Sequence, residues 1–162
     1  ELVWALDPKS DDFSEVATYL KDFGEQYFAH TPLAFVVDEA LPNAENDLRL
    51  PPGWSRQLIL IFKEAMTNVL KHAGAGRVRL TMRTPAGGGI RIELRDDGVG
   101  VGSRPEGGGE HTGFGLRNMR QRAREIGCCL EIETQKDGGT SVVLTGEVPL
   151  KGYAQKRGKE VP

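Results

Sequence analysis

Apolar residues recur at helical spacing in two segments of the first half of the chain. The first segment begins at Asp12, whose side chain is expected to cap the helix, and ends near His30. The second runs from Trp54 to about Ala73, before a glycine-rich break. The stretch "PLAFVVDE" between them is typical of a strand. We therefore predict two helices with one strand between them.

From residue 78 onward the period of the pattern changes to two. The segments "VRLTMR" and "IRIELR" alternate apolar with polar residues, and the loop "PAGGG" joins them as a hairpin. A third helix is predicted from Phe114 to about Ile126, and the alternation returns after it in "LEIE" and "GGTSVVLTGEV". Each of these strands has one apolar face and one polar face.

The polar face of the strands decides the fold class. A doubly wound sheet is buried on both faces, and its strands are continuous apolar runs. Here only one face of the sheet can lie against helices. We therefore predict an α/β fold, a two-layer sandwich in which a mixed, mostly antiparallel five-stranded sheet carries three helices on one face.

Composition limits the function classes. The 162 residues are 38% hydrophobic and 27% charged, as expected for one globular domain. The net charge of −2 provides no positive field for nucleic acid, so no nucleic-acid contact is expected. No run approaches the ~20 apolar residues that span a bilayer, which predicts a soluble chain. The adjacent Cys128 and Cys129 have the wrong spacing for a zinc site and are expected to stay reduced.

The two ends of the sequence differ from its middle. The chain begins with Glu1, and "ELVWALDP" is an apolar run stopped by a proline, as at the end of a longer helix. We expect residues 1–10 to be a helix remnant and linker from a larger protein. Residues 11–150 are expected to form the domain, and residues 151–162 a flexible polar tail.

One predicted helix carries four polar residues on the side opposite its apolar face. At ~100° per residue, Glu64, Asn68 and Lys71 share a narrow stripe of "FKEAMTNVLKHAGAG", and His72 lies at its edge. A solvated helix face is the ordinary interpretation of such a stripe. The choice between a solvated face and a binding site therefore depends on other segments.

A second segment places acids and glycines after a strand. In "ELRDDGVGVG", Asp96 and Asp97 are followed by spaced glycines, which let backbone approach a flat ligand closely. A carboxylate here can accept a hydrogen bond from an amine such as N6 of adenine. The alternative is a tight surface turn, for which "DDG" is equally suitable.

A third segment places glycines at a helix start. "SRPEGGGEHTGFGLRNMRQRA" brings Gly113 and Gly115 to the first turn of the third helix, where free N–H groups and the helix dipole suit phosphate. The stretch before it could close as a lid, or could be a disordered loop. The segment is neither a P-loop nor a dinucleotide fingerprint.

In this order the three segments resemble the N, G1 and G2 boxes of the superfamily of DNA gyrase, the ninety-kilodalton heat-shock chaperone, histidine kinases and mismatch-repair ATPases. Within it, "LILIFKEAMTNVLKHA", "IELRDDGVGVG", "GFGLRNMRQRAREIG" and "GGTSVVL" are similar to the catalytic ATP-binding domain of bacterial sensor histidine kinases of the nitrate-sensor and desaturase-sensor type. The resemblance runs from about Glu1 to Leu150 and implies a Bergerat-type fold.

The resemblance implies ATP and Mg²⁺ as ligands and a role for each matching residue. Asn68 would bind Mg²⁺, Asp96 would accept from the adenine amine with Thr140 sharing a water, and Lys71 would pair with phosphate, assisted by His72. Gly98 and Gly100 would pass near the base and sugar. The amides of the third helix's start would come from Gly113, Phe114, Gly115 and Leu116.

Two parts of the implied site stay open. Glu64 is the candidate catalytic residue, because it matches the water-activating base of the superfamily's ATPases. In a histidine kinase the attacking group is a histidine nitrogen on another domain, so Glu64 would orient the incoming imidazole or hold Asn68 in place, and the acid next to the missing histidine is the preferred base. The lid between Gly102 and Gly113 is short and lacks the aromatic motif of longer-lidded kinases, so contacts there cannot be carried over.

The resemblance also implies partners and a location. The γ-phosphoryl group would pass to a histidine on the parent's own dimerisation domain, which this sequence lacks, and then to a response regulator. The parent is expected to be a cytoplasmic homodimer or one anchored in the inner membrane. The alternatives are an anti-sigma-factor serine kinase, a nucleotide-binding scaffold without turnover and, more remotely, a water-hydrolysing ATPase of the gyrase kind.

Overall fold

The computed structural model describes residues 11–40, 48–100 and 112–148. Within them lie the helices α1 (Phe13–Phe28), α2 (Trp54–Asn68) and α3 (Thr112–Glu125), and a π-helical turn, Val69–Ala73, that continues α2. The strands are β1 (Ala34–Ala40), β2 (Arg77–Arg83), β3 (Ile90–Asp96), β4 (Cys129–Thr134) and β5 (Thr140–Gly146). The predicted remnant at residues 1–10, the tail at residues 151–162 and most of the predicted lid lie outside the described residues.

The five strands form one mixed sheet in the order β1-β2-β3-β5-β4. β1 pairs in parallel with β2, and the other three pairs are antiparallel. The predicted fold class, a two-layer α/β sandwich with three helices and a mixed, mostly antiparallel sheet, is confirmed. β3 is the central strand and therefore carries its last residue, Asp96, into the middle of the molecule.

The alternating pattern of β3 separates the two layers. Ile90, Ile92 and Leu94 are at most 1% exposed and belong to the core, whereas Arg91 and Arg95 lie on the opposite face. α2 supplies the other side of the core and packs against α1, α3 and β3. Apolar side chains on one face of each element thus hold the helices to one side of the sheet.

The start of α1 differs from the prediction. Asp12 is the N-cap residue, but its side chain makes no capping hydrogen bond, so the predicted side-chain cap is wrong. The amide of Phe13 instead donates to the carbonyl of Leu48 at 3.0 Å, and the amide of Leu50 donates to the carbonyl of Asp11 at 2.6 Å. Because this backbone pairing satisfies one of the helix's free donors, the helix start is held from a distant segment.

Both cysteines are free thiols, as predicted. Cys128 is buried, and this desolvation raises the pKa of its thiol to about 11. Cys129 begins β4 and is exposed. Among the described residues, no helix has both the length and the apolar character needed to cross a membrane.

Candidate functional site

A cavity lies between α2 with its π-helical turn, α3, and the inner face of the sheet at the end of β3. It is lined by Ala65, Asn68, Val69, His72, Ala73, Leu94, Asp96, Gly100, Leu116, Met119, Ile132, Thr140 and Val142. Its volume is about 50 Å³, room for only one or two water molecules at ~30 Å³ each. The walls are mostly apolar, and the polar groups come from four residues on opposite sides, so the cavity has the composition of a small-molecule site.

Among the residues that the structure describes, Asp96 is the one acid that lines this cavity. The residue is 5% exposed, and its Oδ1 accepts hydrogen bonds from the amides of Gly98 at 2.8 Å and Thr140 at 3.3 Å. Burial raises the pKa of the Asp96 carboxyl, and these two amides oppose the rise. Because both bonds to Asp96 use Oδ1, Oδ2 is the oxygen that can accept from a ligand.

The neighbouring Asp97 has a different role. Its Oδ1 accepts from the amides of Gly76 and Arg77, each at 2.9 Å, and the residue is exposed. The hydrogen bond from Arg77 is the main reason that the pKa of Asp97 is lowered. Asp97 does not line the cavity. The two acids of "DDG" therefore face different surroundings, one toward the cavity and one toward the start of β2.

Glycine is required at two positions around Asp96. A Cβ on Gly98 would overlap the carbonyl of Ala73, the last residue of the π-helical turn. A Cβ on Gly139 would overlap the carbonyl of Asp96, and Gly139 also has a φ of +87°. Gly100, with φ +83°, is buried and lines the cavity. These glycines allow three backbone segments to lie against one another beside the Asp96 carboxylate.

Only some of the polar residues predicted for α2 and its π-helical turn reach the cavity. Asn68 and His72 line it, whereas Lys71 is exposed and does not. At ~100° per residue, His72 falls between Asn68 and Val69, which both line the cavity. Lys71 falls on the side of Glu64, which does not line the cavity. The predicted helix does extend to Ala73, but its last turn is π-helical rather than α-helical.

The start of α3 approaches α2 rather than standing free. A Cβ on Gly115 would lie 2.5 Å from Oε1 of Glu64 and 3.7 Å from Nδ2 of Asn68. Leu116 lines the cavity. Gly113 has open space around it, and Phe114 is 54% exposed. Glu64 thus faces the first turn of α3 beside Asn68, but it does not line the cavity.

The apolar walls of the cavity were not predicted from the sequence. They come from the core faces of β3, α3, β4 and β5, and include Leu94, Met119, Ile132 and Val142. In sequence these residues are ordinary core positions, and nothing in their pattern separates a cavity wall from a packed interior. Gly139 was also missed as a site residue, although the "GGT" before the last strand is the signal that could have found it.

This arrangement suits a flat, amine-bearing ring with a charged extension. Once the cavity is widened, its apolar walls can enclose the ring, and the buried carboxylate of Asp96 can accept from its amine. Asn68 and His72, at the far side, can meet a polar group or a metal ion, since an amide oxygen is a suitable ligand for Mg²⁺.

Comparison with known proteins agrees with this geometry. Residues 53–151 match the family model described as histidine kinase-, DNA gyrase B-, and HSP90-like ATPase. The match covers more than half of the chain and includes every residue predicted for the site. The chain belongs to this family of ATPases, and the use of ATP follows from that membership.

Two sensor proteins of Escherichia coli (strain K12) are among the similar sequences. The nitrate/nitrite sensor protein NarQ is 27% identical over 82% of this chain and 22% of its own length. The nitrate/nitrite sensor protein NarX is 30% identical over 83% of this chain and 21% of its own length. The resemblance to the nitrate-sensor type of histidine kinase is confirmed. The chain spans about a fifth of the length of these curated relatives.

Solved structures show the same fold. The ATP binding domain of PrrB from Mycobacterium tuberculosis superposes with a TM-score of 0.58 at 25% identity, over 85% of this chain and 95% of that one. The histidine kinase domain of the Erythrobacter litoralis EL346 blue-light activated histidine kinase superposes with a TM-score of 0.62 at 21% identity, over 90% of this chain and 66% of that one.

Proposed function

We propose that this chain is the ATP-binding catalytic domain of a two-component sensor histidine kinase. The observation that carries the proposal is the buried Asp96 carboxylate, which faces an apolar-walled cavity with Asn68 across from it. The family match and the relatives named as sensors support the same function. In the parent protein, the γ-phosphoryl group of ATP is transferred to a histidine and then to a response regulator.

The base end of the nucleotide lies against Asp96. Oδ2 of Asp96 accepts from the exocyclic amine of adenine, and Thr140 shares a water with the same carboxylate. Two features support this assignment: Thr140 lines the cavity, and its amide already donates to Oδ1 of Asp96. Gly98 and Gly100 let the backbone run beside the base and sugar. Because the cavity holds only about 50 Å³, entry of the base must widen it.

The triphosphate end lies along α2 and the first turn of α3. Its assigned contacts are the amide oxygen of Asn68 to Mg²⁺, the side chains of His72 and Lys71 to phosphate, and the first-turn amides of α3 at Gly113, Phe114, Gly115 and Leu116. The half-buried Asn68 beside the free amides of a helix start supports a site for a cation and phosphates. Mg²⁺ supplies charge neutralisation on the phosphates when it is bound.

Glu64 holds the geometry of Asn68 in this proposal. Its carboxylate and the Asn68 amide both face Gly115, so the three residues fix the distance between α2 and the start of α3. Glu64 does not line the cavity, which speaks against direct contact with the base. In a histidine kinase the attacking group is an imidazole rather than water, so no water-activating base is needed.

The partners of the domain follow from the same proposal. They are the parent's own dimerisation domain, which carries the phosphoacceptor histidine, and a response regulator. The parent is a homodimer in the cytoplasm or anchored in the inner membrane, and this domain does not contact nucleic acid. The anti-sigma-factor serine kinase is the second candidate, since it would use the same nucleotide site on another acceptor.

The nucleotide assignment is tested by calorimetric titration of ATP with Mg²⁺ into the wild-type chain and into Asp96→Asn. Asparagine presents a donor toward the adenine amine, so affinity should fall by at least about a hundredfold, the effect of losing a charged hydrogen bond and leaving a donor unpaired. Asp38→Asn is the matched control, because Asp38 pairs with Arg83 on the opposite face of the sheet. Equal affinities in wild type and Asp96→Asn would contradict the assignment.

The kinase assignment is tested with γ-labelled ATP given to this chain alone and to the parent protein. Acid-labile, alkali-stable label in the parent, with none in this chain, is the expected result for transfer to a histidine outside the chain. Acid-stable label on a separate protein would favour the serine kinase. Binding of ATP with no transfer to any acceptor would favour the scaffold.

A further inference from the structure

Two loops meet beside the cavity. One loop, residues 74–76, joins the π-helical turn to β2, and the other, residues 97–100, follows β3. The amide of Val99 donates to the carbonyl of Ala73 at 2.9 Å. A Cβ on Gly98 would overlap that same carbonyl. The last residue of the π-helical turn is therefore packed against the loop that begins just after Asp96.

Asp97 ties these two loops together from the side away from the cavity. Its Oδ1 accepts from the amides of Gly76 and Arg77 at 2.9 Å each, and its own amide donates to the carbonyl of Arg77 at 3.2 Å. We call these three hydrogen bonds the Asp97 clasp. Bonds from a backbone N–H to an ionised carboxylate are stronger than bonds between neutral groups.

The clasp joins the two sides of the cavity. Ala73 and His72 line one side, and Asp96 lines the other. Ala73 lies three residues before Gly76, and Asp96 lies next to Asp97, so short stretches of backbone link each cavity residue to the clasp. Among the described residues, the Val99–Ala73 hydrogen bond and the packing of Gly98 against Ala73 join these two loops in addition to the clasp.

We infer that Asp97 is a positioning residue for the nucleotide: without touching it, Asp97 holds the π-helical turn with His72 at a fixed distance from the Asp96 carboxylate. This inference rests on the proposed function for its ligand, ATP. It assigns the second acid of "DDG" a task different from that of the first. It also explains why the loop after the π-helical turn is fixed to β3 by a side chain as well as by the backbone.

The test compares Asp97→Ala, Asp97→Asn and the control Asp38→Ala in the whole chain. Alanine removes both side-chain bonds, and ATP affinity should fall about tenfold. The amide oxygen of asparagine can still accept from Gly76 and Arg77, so Asp97→Asn should stay within about threefold of wild type. Affinities are measured well below each variant's own melting temperature, so that only folded molecules are titrated. Asp97→Ser replaces Asp97→Ala if the latter does not fold, because a hydroxyl is too short to reach both amides.

Amide hydrogen exchange without nucleotide gives a second readout. In Asp97→Ala, the Val99 amide should exchange about tenfold faster, while amides inside β3, such as that of Ile92, keep their protection. Unchanged Val99 exchange and unchanged ATP affinity would overturn the inference. So would a lower melting temperature with both of these unchanged, since Asp97 would then be only structural. If wild type binds no ATP, the proposed function fails, and the exchange of Val99 still decides whether Asp97 fixes the two loops.

Discussion

At the scale of single residues, burial separates two adjacent acids. Asp96 is 5% exposed and loses hydration, which raises its pKa, whereas the exposed Asp97 accepts two amide hydrogen bonds that lower its pKa. Keeping Asp96 ionised in the cavity therefore opposes folding, and the proposed contact with the nucleotide is the role that would require a carboxylate there. Asp97 contributes in the opposite direction.

The free-energy cost of ionising Asp96 in the folded chain predicts that the stability of the domain depends on pH. The pKa of Asp96 is higher in the folded chain than in the unfolded chain. Its contribution to the free energy of unfolding is therefore fully present below the unfolded pKa and is lost as the pH rises through the folded pKa. Asp96→Asn should therefore be more stable than wild type by about 1 kcal/mol at pH 7, without nucleotide. Urea unfolding from pH 7 to pH 4 should show this difference shrinking. A variant less stable than wild type at pH 7 would contradict the prediction.

At the scale of secondary-structure elements, the uncovered face of the sheet brings like charges together. Arg79 on β2 lies directly opposite Arg95 on β3, and Arg83 lies opposite Arg91. Three of these arginines have a carboxylate partner: Arg83 with Asp38, Arg91 with Glu93 and Arg95 with Asp137. No ion pair involves Arg79 within the described part of the chain. Opposed like charges destabilise a strand pair.

Replacement of Arg79 should therefore stabilise the sheet. Arg79→Thr keeps a residue that favours strands, removes one charge of the Arg79–Arg95 pair, and should raise the free energy of unfolding by about 0.5 kcal/mol at low salt. The gain should become smaller in 1 M NaCl, because salt screens exposed charges. Arg79→Lys, which retains the charge, is the control and should match wild type in chemical denaturation. A gain that is independent of salt would count against the electrostatic cause.

The π-helical turn is the other decisive element. It ends at Gly74, whose φ of 58° is left-handed, and it carries both a cavity residue, His72, and the Ala73 carbonyl that accepts from Val99. The turn therefore contributes both a side chain to the cavity and a backbone acceptor to the loop that follows β3.

At the scale of the whole molecule, α2 joins the other two helices to the central strand of the sheet. It packs against α1, α3 and β3, and Leu58, Phe62 and Met66 on its inner face are 0% exposed. The same helix presents Asn68 to the cavity and Glu64 to the start of α3. Packing of one face thus fixes the position of the polar residues on the other.

Loss of packing at the centre of α2 should therefore destabilise the entire domain. Phe62→Ala leaves a cavity in the core and should lower the free energy of unfolding by about 3–5 kcal/mol. Leu70→Ala is the control: Leu70 is 40% exposed, so its loss should cost less than about 1 kcal/mol. Both values come from urea denaturation followed by circular dichroism. Equal effects of the two substitutions would show that Phe62 is not at the centre of the core.

The sequence by itself determined the elements and much of the candidate site. Periods of 3.6 and two fixed which faces of the helices and strands are apolar, because this depends only on local backbone geometry, and one-faced strands required a two-layer fold. Asp96 and Asn68 were found because a carboxylate before glycines and an amide on a helix stripe are local patterns.

Only the tertiary structure decided the rest. The strand order β1-β2-β3-β5-β4, the apolar walls at Leu94 and Val142, and the clasp from Asp97 to Gly76 all depend on contacts between distant segments. The apolar pattern of the helix also did not distinguish the π-helical turn Val69–Ala73 from an α-helical one. A local pattern carries no information about such contacts, since they form only when the chain closes on itself.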